Sequence, residues 1–353
     1  MPGSADRVEF IEQAPLADLN TLALDARARY LCNAANLDDL RTARRFALER
    51  GLGLTVLGGG SNVVLAGDIP GLVVRVALPG IEAVAVRGDQ VEVRVGAGES
   101  WHGLVGHCLA RGWFGLENLA LIPGRAGAAP IQNIGAYGVE LANRILSLDA
   151  LDLDSGELVR LDRAACRFGY RDSIFKHDLQ GRVIITAITL TLSTTPRPCL
   201  DYPELRDALA PEADPSPRAV YDAVCALRRR KLPDPAERPN AGSFFKNPVV
   251  SPAQAAALQA RFPDMPGYPQ AGGALKIPAA WLIDRAGWKG QRRGAVGVHD
   301  RQALVLVHFG GGTGEELLAL AGAIADDVAA RFGVHLELEP VVLGESGRVA
   351  PRG

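Results

Sequence analysis

Glycine is unusually abundant in this chain, at 40 of 353 residues, and it is unevenly distributed. Much of the excess falls in clusters, such as Gly58-Gly59-Gly60 and Gly310-Gly311-Gly312. Glycine has no Cβ and adopts positive φ at little cost, so such clusters favour tight turns and loops that bind phosphate. The clusters therefore mark candidate ligand loops as well as turns.

The length and composition are those of an ordinary soluble enzyme. A chain of 353 residues suits two or three domains, and 48% apolar with 22% charged residues is typical of a globular protein. The formal charge of −2 argues against a nucleic-acid protein with a basic field over its whole surface, although a local basic patch could hold an anionic small molecule. We expect small-molecule partners and no nucleic acid.

The cysteines and the amino terminus indicate a cytoplasmic protein. Residues 1–10 lack a basic start followed by an apolar stretch, and no apolar run reaches about 18 residues. We expect no export signal, no membrane span and no bound metal. The cysteines are scattered, odd in number and never arranged as C-x-x-C, which indicates neither a disulfide framework nor a zinc site; they are Cys32, Cys108, Cys166, Cys199 and Cys225.

Helical and strand patterns are mixed along the chain, which predicts an α+β fold. Asp38 or Asp39 is expected to cap a helix that ends near Gly51. The other elements predicted before residue 194 are a helix at Trp101–Arg111, a hairpin at 146–161, and strands at Leu54–Leu57, Leu72–Val76, Ile81–Val86, Val91–Val95 and Val183–Leu192.

Prolines cluster at residues 194–217, which indicates a linker or a long exposed loop. We place a domain boundary there. Beyond it, helices are predicted at Arg218–Lys231, Pro252–Arg261, Ala279–Ala286 and Gly314–Phe332, with strands at Ala303–Val307 and near His335–Leu343.

The first candidate site is the loop Gly58-Gly59-Gly60-Ser61-Asn62, which directly follows a predicted strand. Successive glycine N–H groups can form a nest that binds an anion, and Ser61 and Asn62 add donors. A triple glycine after a strand is also an ordinary turn, and this one matches neither a Walker loop nor G-x-G-x-x-G. Both interpretations stay open on sequence alone.

The second candidate site is residues 116–140, a long segment of small residues with few charges. Its glycines let main chain approach a flat ligand, and its polar residues can supply hydrogen bonds. A buried glycine-rich crossover would explain the glycines but not the polar residues. The candidate ligand residues are Pro123, Gly124, Gly127, Gln132, Asn133, Gly135, Ala136, Tyr137 and Gly138.

Two shorter segments carry charge. Tyr170 and Arg171 lie among large apolar residues, so the guanidinium is either a clamp for a carboxylate or a surface cation paired with Asp172. The basic run at residues 228–231 is either a solvated helix end or a diphosphate-binding patch.

The octapeptide Ala-Gly-Ser-Phe-Phe-Lys-Asn-Pro at residues 241–248 is the most informative segment about function. Gly242 allows a close approach to a ligand, and the two phenylalanines anchor the segment in apolar packing. The hydroxyl of Ser243 would then be held in place, where it can donate a proton. The alternative is an ordinary strand end after a Pro-rich loop.

These segments occur together, in the same order, in one enzyme family. They resemble the UDP-N-acetylenolpyruvoylglucosamine reductases, flavoenzymes that make UDP-N-acetylmuramate for peptidoglycan. The similarity runs from about Asn20 to Leu343, and five ordered motifs are far more specific than any one of them. The motifs lie at residues 58–62, 123–138, 169–173, 228–235 and 241–248.

The resemblance implies a two-lobed FAD-binding module of the PCMH/vanillyl-alcohol-oxidase type, followed by an α+β substrate-binding domain. Residues 1–80 would form the first lobe, completed by residues 314–345, and residues 81–195 the second. A Pro-rich linker at 196–217 and a substrate-binding domain at 218–313 would follow. The pair Arg125-Ala126 departs from the small or apolar pair expected in the family's Pro-Gly turn.

The resemblance also implies bound FAD and one site that serves two substrates in turn. The family holds FAD without a covalent link, and the candidate flavin loops contain no histidine or cysteine as an obvious tether. We interpret His102 and His107, which lie on a predicted helix, as structural. NADPH would give a hydride to flavin N5, and the enolpyruvyl sugar nucleotide would then receive that hydride at C3.

Individual roles follow from the same resemblance. Arg171 matches the cation at the substrate carboxylate, Ser243 the proton donor at C2, and Glu339 the glutamate that helps to polarise or protonate the intermediate. Glu337 competes with Glu339, but the Leu-Glu-Pro context favours Glu339. Lys246 or Arg171 would support Ser243, because a free serine has far too high a pKa. The implied substrate-binding residues are Tyr170, Tyr202, Lys231, Asn247 and Gln302.

Two other functions share parts of the pattern. An FAD-dependent oxidase or dehydrogenase of the same flavin superfamily, acting on an alcohol or sugar, would share the glycine segments but not residues 228–248. A non-catalytic nucleotide-binding or regulatory protein would have lost Ser243, Arg171 or Glu339, and all three are present. We expect a monomeric oxidoreductase that uses FAD and NADPH.

Overall fold

The computed structural model describes residues 8–210 and 214–344, and the backbone of residues 347 and 348. Residues 1–7, 211–213 and 345, which belong to predicted segments, lie outside the described residues. The helices are α1 (Leu37–Glu49), α2 (Trp101–Ala110), α3 (Pro203–Leu209), α4 (Pro217–Lys231), α5 (Pro252–Arg261), α6 (Ala279–Arg285) and α7 (Gly314–Phe332). Among the described residues, none of the helices has the length and apolar character needed to cross a membrane.

The strands are mostly short, and together with the helices they confirm the α+β class. They are β1 (Ile11–Pro15), β2 (Arg27–Ala34), β3 (Leu54–Leu57), β4 (Val63–Leu65), β5 (Ile69–Val76), β6 (Ile81–Arg87), β7 (Gln90–Gly96), β8 (Gly135–Ala136), β9 (Val139–Glu140), β10 (Ile145–Asp152), β11 (Leu158–Asp162), β12 (Val183–Ser193), β13 (Asn240–Ser243), β14 (Val249–Val250), β15 (Tyr268–Pro269), β16 (Leu275–Lys276), β17 (Arg292–Arg293), β18 (Val296–Val298), β19 (Val305–His308), β20 (Val341–Gly344) and β21 (Gly347–Arg348).

The cap of α1 corrects one sequence prediction. Asn36, not Asp38 or Asp39, is the N-cap, since its side-chain oxygen accepts a hydrogen bond from the Asp39 N–H over 2.9 Å. The Asp39 carboxylate in turn accepts from the Ala35 N–H over 2.9 Å. The two side chains therefore satisfy two main-chain N–H groups at the start of α1, although Asp39 bonds the residue before the N-cap and not the N-cap residue of a capping box.

The described chain divides into two compact units. The first contains residues 8–14, Ala28–Gly60 and Pro70–Arg230, and the second contains Pro15–Arg27, Ser61–Ile69 and the chain from Lys231 onwards. The second unit thus holds both α7 and residues 231–313. The predicted lobe boundaries stay predictions.

A five-stranded antiparallel sheet forms the centre of the first unit, in the order β11-β10-β12-β7-β6. Its central strand, β12, is buried along most of its length. On one face Ile188 packs in a core with α2 and α4, and on the other Ile184 packs with α1 and β5. A strand covered on both faces is rich in apolar residues, and β12 is, although Thr186, Thr189 and Thr191 interrupt the run.

A second sheet has the order β1-β2-β5-β3, and β3 runs parallel to β5. Strand β3 lies at the edge of this sheet and ends at Leu57. The glycine loop at residues 58–60 therefore leaves directly from the carboxyl end of an edge strand.

The Pro-rich segment at 196–217 contains α3, which begins at Pro203. Leu205 and Leu209 of this helix are buried in the core that α2 and α4 share. The segment up to Leu209 is therefore packed into the first unit.

The carboxyl-terminal part of the second unit is fixed by a close main-chain contact. Strand β20 pairs in parallel with β4, with Val341 opposite Val63, and it is shorter than the strand predicted near His335–Leu343. A Cβ added at Gly314, the first residue of α7, would lie 1.9 Å from the Leu65 carbonyl oxygen. Only glycine fits there, because the contact is with main chain.

The second glycine cluster, residues 310–312, is a turn before α7. Gly310 and Gly311 have φ of 93° and 73°, and the Gly312 N–H donates to Nε2 of the buried His308 over 2.9 Å. Thr313 then caps α7 in a capping box with Glu316.

Candidate active site

The glycine loop after β3 packs closely on the second glycine segment within the first unit. A Cβ added at Gly59 would lie 3.0 Å from the Gly124 Cα, and one at Gly58 would lie 3.4 Å from the Ala128 Cβ. Gly60 has φ of 61°. A run of glycine N–H groups with a left-handed residue is the geometry of an anion-binding nest.

The neighbouring turn is equally tight. A Cβ added at Gly127 would lie 2.5 Å from the Ala97 Cβ, and the Gly127 N–H donates to the Ala97 carbonyl over 2.9 Å. Arg125 departs from the residue expected in the family at this turn. Its guanidinium donates a hydrogen bond to the Gly98 carbonyl over 2.9 Å. Its side-chain stem lies 3.6 Å from a Cβ added at Gly58, so Arg125 is part of the wall beside the nest.

Tyr137 and Gly138 form the tip of a two-residue hairpin between β8 and β9, and both have positive φ, 48° and 86°. This is the backbone that a type I′ turn requires. Burial raises the pKa of Tyr137 to about 12, so the phenol stays neutral at physiological pH. The hairpin tip therefore carries the neutral hydroxyl of Tyr137 beside a glycine that has no side chain, Gly138.

Arg171 lies on a tight turn that contacts this hairpin. Hydrogen bonds between Gly169 and Asp172 close the turn, and Arg171 has φ of 52°. Its guanidinium donates to the Gly135 carbonyl over 3.0 Å and lies 5.4 Å from the Tyr170 ring centroid. The structure therefore places Tyr170 and Arg171 beside the glycine segment.

Asn133 connects the turn at residues 169–172 to the glycine segment, residues 116–140. It is only 1% exposed, and its amide nitrogen donates to the Gly169 carbonyl over 2.9 Å and to the Glu140 carboxylate over 3.0 Å. Its oxygen accepts from the Ala142 N–H over 2.9 Å. The Asn133 side chain is thus fully used inside the protein, whereas Gln132, its neighbour, is half-buried.

The basic run ends α4, and its members differ. Arg228 is half-buried and donates through Nε to the Leu121 carbonyl over 3.2 Å, and burial lowers its pKa. Arg230 pairs with Glu204 of α3 over 2.9 Å. Lys231, half-buried, is the last residue of α4. The run is therefore more than a solvated helix end, because one of its cations is packed against the glycine segment.

Tyr202 is the N-cap residue of α3. Its ring packs edge to face against Tyr137, with 5.2 Å between the centroids. Tyr202 and the hairpin of the glycine segment therefore lie together within the first unit.

In the second unit, the octapeptide is a bulged strand with a buried anchor. Gly242 has φ of 71°, and the pairing of β13 with β19 shifts between Asn240 and Ser243. Phe244 and Phe245 are 0% and 1% exposed. They fix the half-buried Ser243, as the sequence predicts.

Residues 337–339 run alongside this anchor. The Glu339 N–H donates to the Phe244 carbonyl over 3.0 Å, and the Lys246 N–H donates to the Glu337 carbonyl over 2.9 Å. Glu339 is half-buried, whereas Glu337 is exposed and its carboxylate pairs with the Lys246 ammonium. Of the two glutamates that compete for the catalytic assignment, Glu337 is therefore engaged in an ion pair with Lys246.

Three further predicted residues belong to the same unit. Asn62 donates to the Glu339 carbonyl over 3.3 Å. Gln302 lies in the turn before β19 and accepts from the Leu304 N–H over 3.3 Å. The oxygen of the Asn247 side chain accepts from the Ala279 N–H over 2.9 Å, at the start of α6.

The predicted residues are therefore grouped in two sets, one in each unit. Arg171 belongs to the first unit, so its meeting with Ser243 and Glu339 stays a prediction. Asn118, buried and bonded to the Tyr137 carbonyl, was missed. Only its position inside residues 116–140 signalled it. Among the described residues, no group of three or more His, Cys, Asp or Glu side chains could hold a metal ion.

Two family models match the chain, and each contains part of one of the two sets. Residues 28–162 match an FAD binding domain, and residues 234–343 match the UDP-N-acetylenolpyruvoylglucosamine reductase C-terminal domain. The first range includes the nest and the glycine segment, and the second includes Ser243 and Glu339.

Solved structures are similar over nearly the whole chain. The crystal structure of UDP-N-acetylenolpyruvylglucosamine reductase from Thermus caldophilus covers 95% of this chain and 98% of its own, with 25% identity and a TM-score of 0.66. A 6-hydroxy-D-nicotine oxidase from Arthrobacter nicotinovorans, 16% identical with a TM-score of 0.53 over 95% of this chain and 88% of its own, shares the fold. The predicted PCMH/vanillyl-alcohol-oxidase-type fold is confirmed.

A curated relative is much more similar in sequence. The UDP-N-acetylenolpyruvoylglucosamine reductase of Paraburkholderia xenovorans is 53% identical over 338 residues, which are 95% of this chain and 98% of the relative. At that identity and coverage, the chain belongs to the UDP-N-acetylenolpyruvoylglucosamine reductase family.

Proposed function

We propose that this protein reduces UDP-N-acetylenolpyruvoylglucosamine with bound FAD, in peptidoglycan synthesis, and that NADPH supplies the electrons. The observation that carries the proposal is the pairing of the Ser243 segment with residues 337–339. This pairing joins a positioned hydroxyl to a half-buried glutamate, Glu339. Neither the glycine loops nor the FAD match would distinguish this reaction from an oxidase.

The residues of the first unit fit FAD. The nest at residues 58–60 presents main-chain N–H groups and no side-chain bulk, which suits a pyrophosphate. The close packing of Gly59 on Gly124 leaves no room there for side chains. We propose that FAD is held non-covalently by Gly58, Gly59, Gly60, Ser61, Asn62, Pro123, Gly124, Gly127, Gln132, Asn133, Gly135, Ala136, Tyr137 and Gly138. Asn133 would act by positioning this loop, because its side chain is fully hydrogen-bonded inside the protein.

Bound FAD, once reduced by NADPH, would supply a hydride from N5 of its ring. Adding a hydride to C3 of the enolpyruvyl group leaves negative charge on C2 and on the adjacent carboxylate. We propose that the guanidinium of Arg171 binds the carboxylate, because it lies at a tight turn beside the glycine segment. Ser243 would then donate the proton to C2, and Glu339 would polarise the same centre.

The serine needs support, because a free hydroxyl is a very weak acid. Lys246 already pairs with the Glu337 carboxylate, which reduces the charge that it can lend to Ser243. Arg171, which we assign to the substrate carboxylate, is the other cation that the sequence left open. The sugar nucleotide would be bound by Tyr170, Tyr202, Lys231, Asn247 and Gln302.

We further propose a cytoplasmic monomer. The free thiols support a reducing compartment, since none of the five cysteines is in a disulfide and four of them are buried. Size-exclusion chromatography with light scattering tests the monomer.

A stopped-flow experiment tests the reaction. The purified protein should be yellow, NADPH should bleach the flavin absorption, and the enolpyruvyl sugar nucleotide should restore it. Bleaching of the oxidised flavin by simple alcohols or sugars, with no recolouring of the NADPH-reduced flavin by the nucleotide, would support the oxidase alternative and overturn the proposal. A colourless protein that binds no added FAD would contradict both.

A further inference from the structure

Asn118 connects two chain segments that the proposed function uses for different ligands. It lies in a 3₁₀ turn at Glu117–Leu119 and is 2% exposed. Its side-chain nitrogen donates to the Tyr137 carbonyl over 2.8 Å and to the Cys199 carbonyl over 2.9 Å. One buried amide thus donates both of its protons to main-chain carbonyls of two separate loops.

Both loops lead to residues near the predicted site. Tyr137 is the first residue at the tip of the β8–β9 hairpin, and Cys199 precedes Tyr202 by three positions. A Cβ added at Gly138 would lie 3.5 Å from the Cys199 sulfur and 3.7 Å from the Tyr202 nitrogen. The two loops therefore lie close together, and their contact is made by the Tyr137 and Tyr202 rings, which pack edge to face.

The chemistry of this contact requires an amide. Two carbonyl oxygens converge on one nitrogen, so the residue must donate two hydrogen bonds from one atom and carry no charge. A carboxylate would face two acceptors with no proton to offer, and leucine would leave both carbonyls without that donor. Losing a buried donor costs more than an average hydrogen bond contributes, because the remaining groups are already out of water.

We propose that Asn118 is a positioning residue that sets the tyrosine loop, residues 199–202, against the flavin-lining hairpin. Through this contact it determines how tightly the enolpyruvyl sugar nucleotide binds. The inference rests on the proposed function, because it assigns Tyr202 to that nucleotide. Asn118 touches neither substrate nor cofactor in this scheme and acts through the main chain of the two loops.

The test uses the holoenzyme and two replacements, Asn118→Leu and Asn118→Asp, which are close in size to asparagine. Titration of the oxidised flavin spectrum with the enolpyruvyl sugar nucleotide should give a Kd at least about tenfold weaker for either variant. The rate of flavin bleaching by NADPH at saturation should change by less than about threefold. Asn118→Asp serves if Asn118→Leu does not fold.

Two comparisons separate positioning from a general structural role. Asn20→Asp is the matched control, since Asn20 is another buried asparagine whose nitrogen donates to main-chain carbonyls, those of Leu16 and Leu24. It should lower Tm without changing the nucleotide Kd. In a Tyr202→Ala background, Asn118→Leu should add little further loss of affinity, because both changes disable one loop.

The outcomes are distinct. A wild-type nucleotide Kd in both Asn118 variants, or losses that add fully to that of Tyr202→Ala, would overturn the positioning role. If the wild-type protein itself shows no flavin recolouring by the nucleotide, the proposed function fails instead.

Discussion

The backbone N–H of Glu339 donates to the carbonyl oxygen of Phe244 over 3.0 Å. This hydrogen bond joins two segments almost a hundred residues apart in sequence, at the residue after Ser243. The Phe245–Leu338 bridge and the Lys246–Glu337 ion pair continue the contact in the same direction. The proposed proton donor and the proposed glutamate are thus held on adjacent main-chain segments, which is the arrangement that a shared chemical step requires.

Replacing Ser243 by alanine should separate the two half-reactions. Flavin reduction by NADPH should survive, because it needs no proton from the hydroxyl. Reoxidation by the sugar nucleotide should fall by several orders of magnitude, since the proton donor for C2 is missing. Stopped-flow absorbance at the flavin band measures both rates.

The control for this replacement is Ser251→Ala. Ser251 caps α5, where its hydroxyl accepts from the Gln254 N–H over 3.3 Å. Its loss should cost about 1 kcal/mol of stability and change neither half-reaction. Equal losses in both half-reactions of Ser243→Ala would mean that the hydroxyl has a different role.

Gly314→Ala should destabilise the second unit strongly. The added Cβ would lie 1.9 Å from the Leu65 carbonyl oxygen, and main chain there cannot move without shifting β4. We expect a loss of about 3 kcal/mol, at the upper end of overpacking effects. Gly322→Ala is the matched control in the same helix, because a Cβ at Gly322 meets nothing within 4 Å.

The control should stabilise the protein by about 1 kcal/mol through helix propensity. Urea unfolding followed by circular dichroism measures both changes. If the two variants differ little in unfolding free energy, the close approach of α7 to β4 does not exist in solution.

The stability of the first unit should depend on the charge of His102. Its Nδ1 accepts from the Leu121 N–H over 3.0 Å, so the proton of the neutral ring lies on Nε2, 3.3 Å from the Tyr221 hydroxyl. Burial, followed by the charges of Arg229 and Arg228, lowers the pKa of His102 below 6.5. A lowered pKa means that the neutral form contributes stability above pH 6.5, which is lost as the pH falls through the folded-state pKa.

Replacing His102 by asparagine keeps an acceptor near the position of Nδ1 and removes the titration. The unfolding free energy of this variant should run parallel to that of the wild type above pH 6.5. Below that pH the wild type should lose stability more steeply. Denaturant unfolding at pH 7.5 and pH 5.5 checks the difference, and identical slopes in the acid range would exclude His102 as the cause.

Local signals explain which parts of the structure could be predicted. Helices α5 and α7 have the predicted bounds because their caps, Ser251 and Thr313, and the Pro252 that opens α5 stand in the sequence beside them. The predicted cap of α1 was wrong because three capping residues, Asn36, Asp38 and Asp39, lie within four positions. The sequence does not say which of their side chains faces the free N–H groups of the helix.

Contacts distant in sequence could not be predicted. Asn118 binds carbonyls 19 and 81 residues away, and Lys246 pairs with a carboxylate 91 residues away. No local sequence pattern indicates either contact, because the residues come together only when the chain folds. The sequence therefore predicts Ser243 from its octapeptide and Glu339 from the family resemblance, and it leaves open which cation supports the serine.

Asn247 offers a test that separates a substrate role from a structural one. Its oxygen accepts from the Ala279 N–H at the start of α6, where Pro278, the N-cap residue, provides no side-chain hydrogen bond. Asn247→Ala should therefore lose about 1 kcal/mol of stability. Asn247→Asp should retain it, because a carboxylate accepts the same bond and is favourable at a helix amino terminus.

If the Asn247 nitrogen binds the sugar nucleotide, both variants should bind it more weakly, since neither keeps the amide donor. Unfolding in urea and titration of the flavin spectrum measure the two effects in the same preparations. A wild-type nucleotide Kd for Asn247→Asp, with the loss confined to Asn247→Ala, would assign this residue to the support of α6 alone. The proposed binding set would then lose Asn247, while Ser243 and Glu339, which are held by other contacts, would be unaffected.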